Sequence, residues 1–328
     1  MKKIVIIGNG FDLAHDLPTS YTDFIRFLIE ESIRGNKEIR KDLIDVGYIA
    51  TEDQSYSYIK ENYKKIATTS ISRTLPQKTI KVKNRFLFDL LNKFFSADWI
   101  DIEEYYFHIL SLTPESVINQ LNSDFEKIKE YLSIYLEKKA GYSSFIRVDN
   151  FKRIFLDDNP KEIIFLSFNY TDTIKHYYQS INIPKKLIFI HGKLKIKENP
   201  IVFGYGNDEA PIYKTVIDKN DNRYTRNLKR QLYNLAFPYN DLTSFLTDNT
   251  DILHIYTLGH SLGLTDKTLL KEVFENRYVE KIKMYYYKDI EGYRNLNDNL
   301  SRIVSSTTLN TKVVNFPDSE EIPQLINN

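Results

Sequence analysis

Cysteine is absent from this sequence of 328 residues. That excludes disulfides, zinc–thiolate sites, iron–sulfur clusters and cysteine nucleophiles. Glycine and proline are scarce, at 11 and 10 residues, which predicts few long loops and a chain rich in regular elements. Neither sign of charge prevails: 45 basic against 44 acidic residues leave a formal net charge of +1. Broad attraction to nucleic acid or to anionic lipid is therefore not expected. No run approaches the roughly 18 consecutive apolar residues of a membrane-spanning helix. The opening apolar run, Ile4 to Ile7, is too short for a secretory signal. A cytoplasmic protein with no membrane association is the expectation.

What is present is an ordinary globular mixture, 42% hydrophobic and 27% charged, with an aromatic share of 14% that supplies bulk for a core needing no covalent staples. The length fits two domains, or one large domain carrying an insertion. The first strand is Ile4-Val5-Ile6-Ile7, ending at Gly8-Asn9-Gly10; a continuous apolar run stopped by glycine suits a buried parallel strand. A helix follows with Phe24, Phe27 and Leu28 on one face, and Ser20 with Asp23 resembles a capping pair at its start. Residues 36–159 carry charged helical patterns and few strand signals. The clearest helix there spans 115–139, with Leu121, Phe125, Ile128, Leu132 and Leu136 drawing an apolar stripe.

Strands return at 162–168, 186–190, 252–258, 281–287 and 312–316, with helices between them at 172–180, 266–276 and 290–305. Strands alternating with helices predict an α/β, Rossmann-like, mostly parallel sheet. The core is then residues 1–35 and 160–328, with 36–159 a large helical insertion. In such sheets ligands bind beyond the carboxyl ends of the strands, and polar motifs gather at those ends: Gly8-Asn9-Gly10-Phe11-Asp12, Asn169-Tyr170-Thr171-Asp172, His191-Gly192, and Gly259-His260-Ser261.

Each motif has two uses. The Gly8–Gly10 turn fits a phosphate cradle or a tight strand-to-helix turn; the dinucleotide fingerprint is incomplete, because Leu13 stands where a third glycine is expected. Asp12 fits a ribose or amine contact, or a turn cap. Asn169 fits an Asx turn or an amide that orients a water or a sugar hydroxyl, and Asp172 a helix cap. His191, at a strand end beside glycine, fits a general base near neutral pH or a structural role. Gly259, His260 and Ser261 fit a second phosphate or ribose loop, with His260 catalytic, a gatekeeper or packed. The remaining histidines lack metal-ligand spacing, so no metal is expected. Trp99 lies in an acidic stretch with Glu103, which suits either a reach toward a site or solvated acids. Tyr285, Tyr286 and Tyr287 read as strand packing.

These motifs together resemble a known family. Residues 6–15 and 17–21, then Trp99-Ile100-Asp101-Ile102-Glu103, Ser167 to Asp172, Ile190-His191-Gly192 and Gly259 to Leu262, look like the ordered signatures of the bacteriophage abortive infection AbiH family. The resemblance implies an anti-phage defence protein. The same blocks also resemble the sirtuin-like NAD-binding fold: Gly8-Asn9-Gly10 stands where that fold has Gly-Ala-Gly, His191-Gly192 matches its His-Gly, and Gly259 with Ser261 its Gly-x-Ser. Asn169 matches an Asn that, with the His, serves cleavage of the glycosidic bond of NAD there. Asp172 is displaced by one residue from the family's Asp, and Asp12 replaces a Ser. The zinc-binding cysteine pairs are missing, which disfavours deacetylation. The expectation is an NAD glycohydrolase using Asn169 and His191, with NAD held by Gly8, Asn9, Gly10, Asp12, Gly259, His260 and Ser261. The competing expectation is a non-catalytic sensor of NAD, ADP-ribose or a related nucleotide. A phage-derived trigger and a homo-oligomer complete the expected partners.

Overall fold

The structure, a computed structural model, describes residues 1–46, 80–97, 101–139, 145–235 and 237–325. Trp99 lies outside the described residues. Among the described residues seven strands run in chain order: β1 (Lys2–Ile7), β2 (Ile44–Val46), β3 (Ile80–Val82), β4 (Glu162–Ser167), β5 (Lys185–Phe189), β6 (Leu253–Leu258) and β7 (Val279–Tyr285). Two compact units form, Met1–Thr19 with Lys139–Asn328, and Ser20–Lys138.

The first unit holds a five-stranded sheet in the order β5-β4-β1-β6-β7. Every pairing in it is parallel, with Ile4 level with Ile164 on one side and Ile255 on the other. Both faces are covered, which is why the strands read as continuous apolar runs. One face packs Ile4, Ile6, Leu166, Ile255 and Met284 against Leu242, Leu270, Phe274 and Leu300. The other packs Val5, Ile7, Phe165 and Leu258 against Phe11, Phe151, Phe155 and Tyr177. The chain steps from β1 to β4 to β5 on one side, then crosses to β6 and β7 on the other. The order therefore reverses between β1 and β6, where α/β sheets open a crevice at their carboxyl ends.

The second unit is mostly helical. Tyr21–Ile33 opens with a capping box, Ser20 Oγ accepting from the Asp23 N–H at 3.1 Å while the Ser20 N–H donates back to Asp23 Oδ2. Its Phe24 and Phe27 rings meet Tyr135 on the helix Ile118–Lys139, so Tyr21–Ile33 belongs with the second unit rather than with the sheet. In the opposite sense, Asn150–Leu156 belongs with the sheet, through Phe151, Ile154 and Phe155. The unit divisions thus fall at 19/20 and 138/139, where the hydropathy pattern suggested 35/36 and 159/160. The second unit also contains an antiparallel pair, β2 with β3, that the helical reading omitted. Glu103 is buried in the first turn of Ile102–Leu112, a turn capped by Asp101.

One expected strand is absent from the fold. Residues 306–312 form a helix, capped where Ser305 Oγ accepts from the Thr308 N–H. Only Val313 bridges to Ile282 before the turn Phe316–Asp318. Pro317, which has no N–H for a ladder, stands inside that turn. The helix expected at 172–180 shortens to Lys175–Tyr178.

Candidate functional site

Two turns meet at the switch point. Gly8 follows β1 and Gly259 follows β6. The Gly8 N–H donates to the Leu258 carbonyl at 3.0 Å, and the Gly10 N–H to the Gly259 carbonyl at 2.8 Å. A methyl group on Gly8 would stand 2.5 Å from His260 Cα, and one on Gly10 2.7 Å from Gly259 Cα. Gly259 adopts φ +69°, a left-handed conformation that side chains disfavour, and a Cβ there would lie 2.1 Å from the Phe11 nitrogen. These glycines are thus required for backbone-to-backbone contact of the two turns. The Gly8 and Gly10 N–H groups are spent on that contact and are not available to a phosphate.

The sequence-predicted residues fall into two clusters around this contact. The first surrounds Asp12, which is 1% exposed. Thr171 Oγ1 donates to Asp12 Oδ2 at 2.6 Å, and Thr173 Oγ1 donates to Thr171. Asp12 Oδ1 has no hydrogen-bond partner among the described residues. Burial pushes the Asp12 carboxyl up to about 6, against the opposing pull of Thr171, Thr173 and Asn169. Asn169 Nδ2 donates to the Gly8 carbonyl at 3.0 Å. Asn9 accepts from Thr19 Oγ1 at 2.6 Å. Asp172 is paired with Lys175 and Lys193 rather than capping a helix.

The second cluster centres on a residue the sequence did not single out, Asp266. His191 Nε2 lies 2.9 Å from Asp266 Oδ1 and 3.2 Å from the Tyr233 hydroxyl. Lys229, with no exposed surface, donates its ammonium to Asp266 Oδ1 at 2.7 Å. His260 Nε2 lies 3.6 Å from Asp266 Oδ2. Lys229 and Tyr233 are one helical turn apart on Lys229–Tyr233, so both side chains leave the same face toward Asp266 and His191. Burial alone would raise the Asp266 carboxyl, but Lys229 and the His191 and His260 rings hold it well below the usual carboxylate range. Burial, and then the Lys229 ammonium, push His191 down to about 4. The site is therefore an ionised carboxylate beside a neutral His191 imidazole near neutral pH.

The partners assign the ring protons. An ionised carboxylate only accepts, so His191 Nε2 carries the proton that faces Asp266. Its Nδ1 is left with a lone pair and no hydrogen-bond partner among the described residues. His260 differs. Its Nδ1 accepts the Leu262 N–H at 2.9 Å, and Leu262 holds a left-handed φ of +55°, a conformation costly for a side-chain residue. His260 thus has its lone pair occupied. Ser261 contributes its carbonyl to Asn299 Nδ2.

No direct contact joins Asn169 to His191 among the described residues. The link runs through Phe168, whose ring packs edge-on against His191 at 4.9 Å and against His260 at 4.3 Å. Beside Asp266 a narrow, partly open cleft is lined by Tyr205, Asp208, Arg230, Tyr233, Tyr239 and Glu272, with a cavity volume of about 20 Å³. That is space on the scale of a single water.

A family described as "Bacteriophage abortive infection AbiH" matches residues 4–288. The chain belongs to the AbiH family. The match to AbiH takes in nearly all of the parallel sheet and both clusters, including Lys229 and Asp266, and ends shortly after β7. No curated protein matches the chain. No helix among the described residues is long and apolar enough to cross a membrane. Asp266 had only a faint sequence signal, as an acid closing the loop that begins at Gly259. Lys229 had none, since it stands in a basic stretch with Arg226 and Arg230, and such stretches are usually solvated.

Proposed function

We propose that this AbiH chain acts in abortive infection by cleaving NAD to nicotinamide and ADP-ribose, with His191 as the general base. The observation that carries the reading is the His191–Asp266 contact at the carboxyl end of the sheet. It supplies a neutral imidazole, oriented by a carboxylate, with Nδ1 open. In the proposed reaction the bond between ribose C1′ and the pyridinium nitrogen breaks, and its electron pair neutralises nicotinamide. A water adds to C1′ and gives its proton to His191 Nδ1. The leaving group is already cationic, so positioning and one base supply much of the acceleration. Asn169 is assigned to the ribose and the attacking water. One of its amide hydrogens is committed to the Gly8 carbonyl, and its carbonyl oxygen is the acceptor for a sugar hydroxyl.

The fit of NAD is partial in the described conformation. The paired glycine turns occupy the switch point between β1 and β6, and the cleft beside Asp266 is narrow. Entry requires the two turns or the cleft walls to part, which suits an activity silent until infection. Gly8, Asn9, Gly10, Asp12, Gly259, His260 and Ser261 would then line the opened crevice. The test is incubation of the purified protein with NAD, alone and in extracts of infected cells, with products identified by chromatography. Nicotinamide and ADP-ribose in equal amounts are expected. Tight binding of NAD that raises the melting temperature and leaves it intact would replace hydrolysis with sensing.

A further inference from the structure

We infer that Asp266 and Lys229 are positioning residues for His191: the carboxylate fixes the imidazole in the tautomer whose Nδ1 is unprotonated, and the buried ammonium holds that carboxylate in its charged form. The inference rests on the reading of His191 as a base, and its test separates the two. Asp266 shares one oxygen between His191 at 2.9 Å and Lys229 at 2.7 Å, while His260 faces the other at 3.6 Å. An ionised carboxylate oxygen accepts from both donors at once without offering a proton of its own. Lys229 serves a second purpose. A protonated His191 would place a cation beside a fully buried ammonium, and the like charges oppose it.

Among the described residues, the other groups that face His191 are uncharged: the Tyr233 hydroxyl at 3.2 Å, the Tyr170 ring stacked at 6.2 Å, and the Phe168 ring. The proton state of His191 is therefore governed by Asp266, Lys229 and His260. Nothing in the local sequence distinguishes this arrangement from a structural ion pair. The difference is that a structural pair would have no reason to leave His191 Nδ1 open and His260 Nδ1 occupied.

The decisive measurement is the ¹⁵N spectrum of the histidine rings in the intact wild-type chain, titrated from pH 8 to pH 4. His191 is expected as the neutral tautomer protonated at Nε2 across the range down to about pH 5. An imidazolium at pH 7, or a proton on Nδ1, would overturn the inference. Asp266→Asn is expected to switch or mix the His191 tautomers, and to lower kcat by roughly 10²-fold or more with little change in KM. A folded Asp266→Asn protein with the wild-type tautomer and kcat would also overturn it. Lys229→Met is expected to move the acid limb of the kcat/KM profile to higher pH, or the His191 ring titration if that is the available signal. An unmoved titration would remove Lys229 from the assignment. If either variant fails to fold, the wild-type spectrum decides by itself. If the tautomer is as expected but NAD is not cleaved, the positioning pair stands and the substrate assignment falls.

Discussion

At the scale of single residues, the two histidines at the sheet end are chemically unequal although both are buried. His191 keeps an open Nδ1, whereas His260 spends its own on the Leu262 N–H. His191→Gln keeps a donor toward Asp266 and loses the base, so nicotinamide release should fall by about 10²–10⁴-fold. His260→Gln should fall by far less, which a side-by-side turnover assay would show. Both side chains are hydrogen-bonded and nearly without exposure. Truncation to alanine therefore costs about 1–3 kcal/mol of stability, more than the surface position suggested by a strand end.

The titrating groups make a second, signed prediction. His191 has a folded pKa of about 4, below the ordinary histidine value. Its contribution to stability is present above pH 6.5 and is lost as pH falls toward 4. Asp12 is shifted the other way, to about 6. Its contribution is present below pH 3.8 and is lost as pH rises through 6. Each is worth at most about 3 kcal/mol across its window. Asp12→Asn should remove a loss of stability between pH 4 and 6, and His191→Gln a loss between pH 6.5 and 4. Urea midpoints measured across pH 4–8 would show these opposite changes. Curves parallel to wild type would contradict the burial assigned to both groups.

At the scale of elements, the contact between the β1 and β6 turns is the feature on which site geometry depends. Gly8→Ala places a methyl group against the His260 backbone, and Gly259→Ala adds a disfavoured left-handed φ. Each should destabilise by more than the roughly 1 kcal/mol of a simple Gly-to-Ala strain, and Gly8→Ala should displace His260. Chemical denaturation of both variants measures this, and wild-type midpoints would show that the turns stand apart. The strand periods of β1, β4 and β6 were legible because parallel strands buried on both faces leave unbroken apolar runs. The run at 312–316 carried the same signal and misled, since a short apolar segment followed by Pro317 has no ladder to complete. The glycines were legible as special positions, but their use was not. A sequence shows that backbone approaches something closely there, and only the fold shows that it is another glycine turn.

At the scale of the whole molecule, the chain joins a parallel sheet unit to a mostly helical unit and belongs to a family described by abortive infection. The placement of part of the candidate site was readable from strand-end motifs. Asn169, His191, Asp12 and His260 all stand where strand order and polarity placed them. Lys229 and Asp266 were not readable, because burial of a lysine depends on a carboxylate 37 residues away in sequence and no local pattern encodes that distance. The most direct test compares cells carrying wild type and His191→Gln at equal protein levels, with NAD and phage yield followed through infection. Wild type should lose NAD and suppress phage yield together, while His191→Gln should retain NAD and allow the phage to grow. A folded His191→Gln protein that still depletes NAD and protects its host would contradict chemistry at His191.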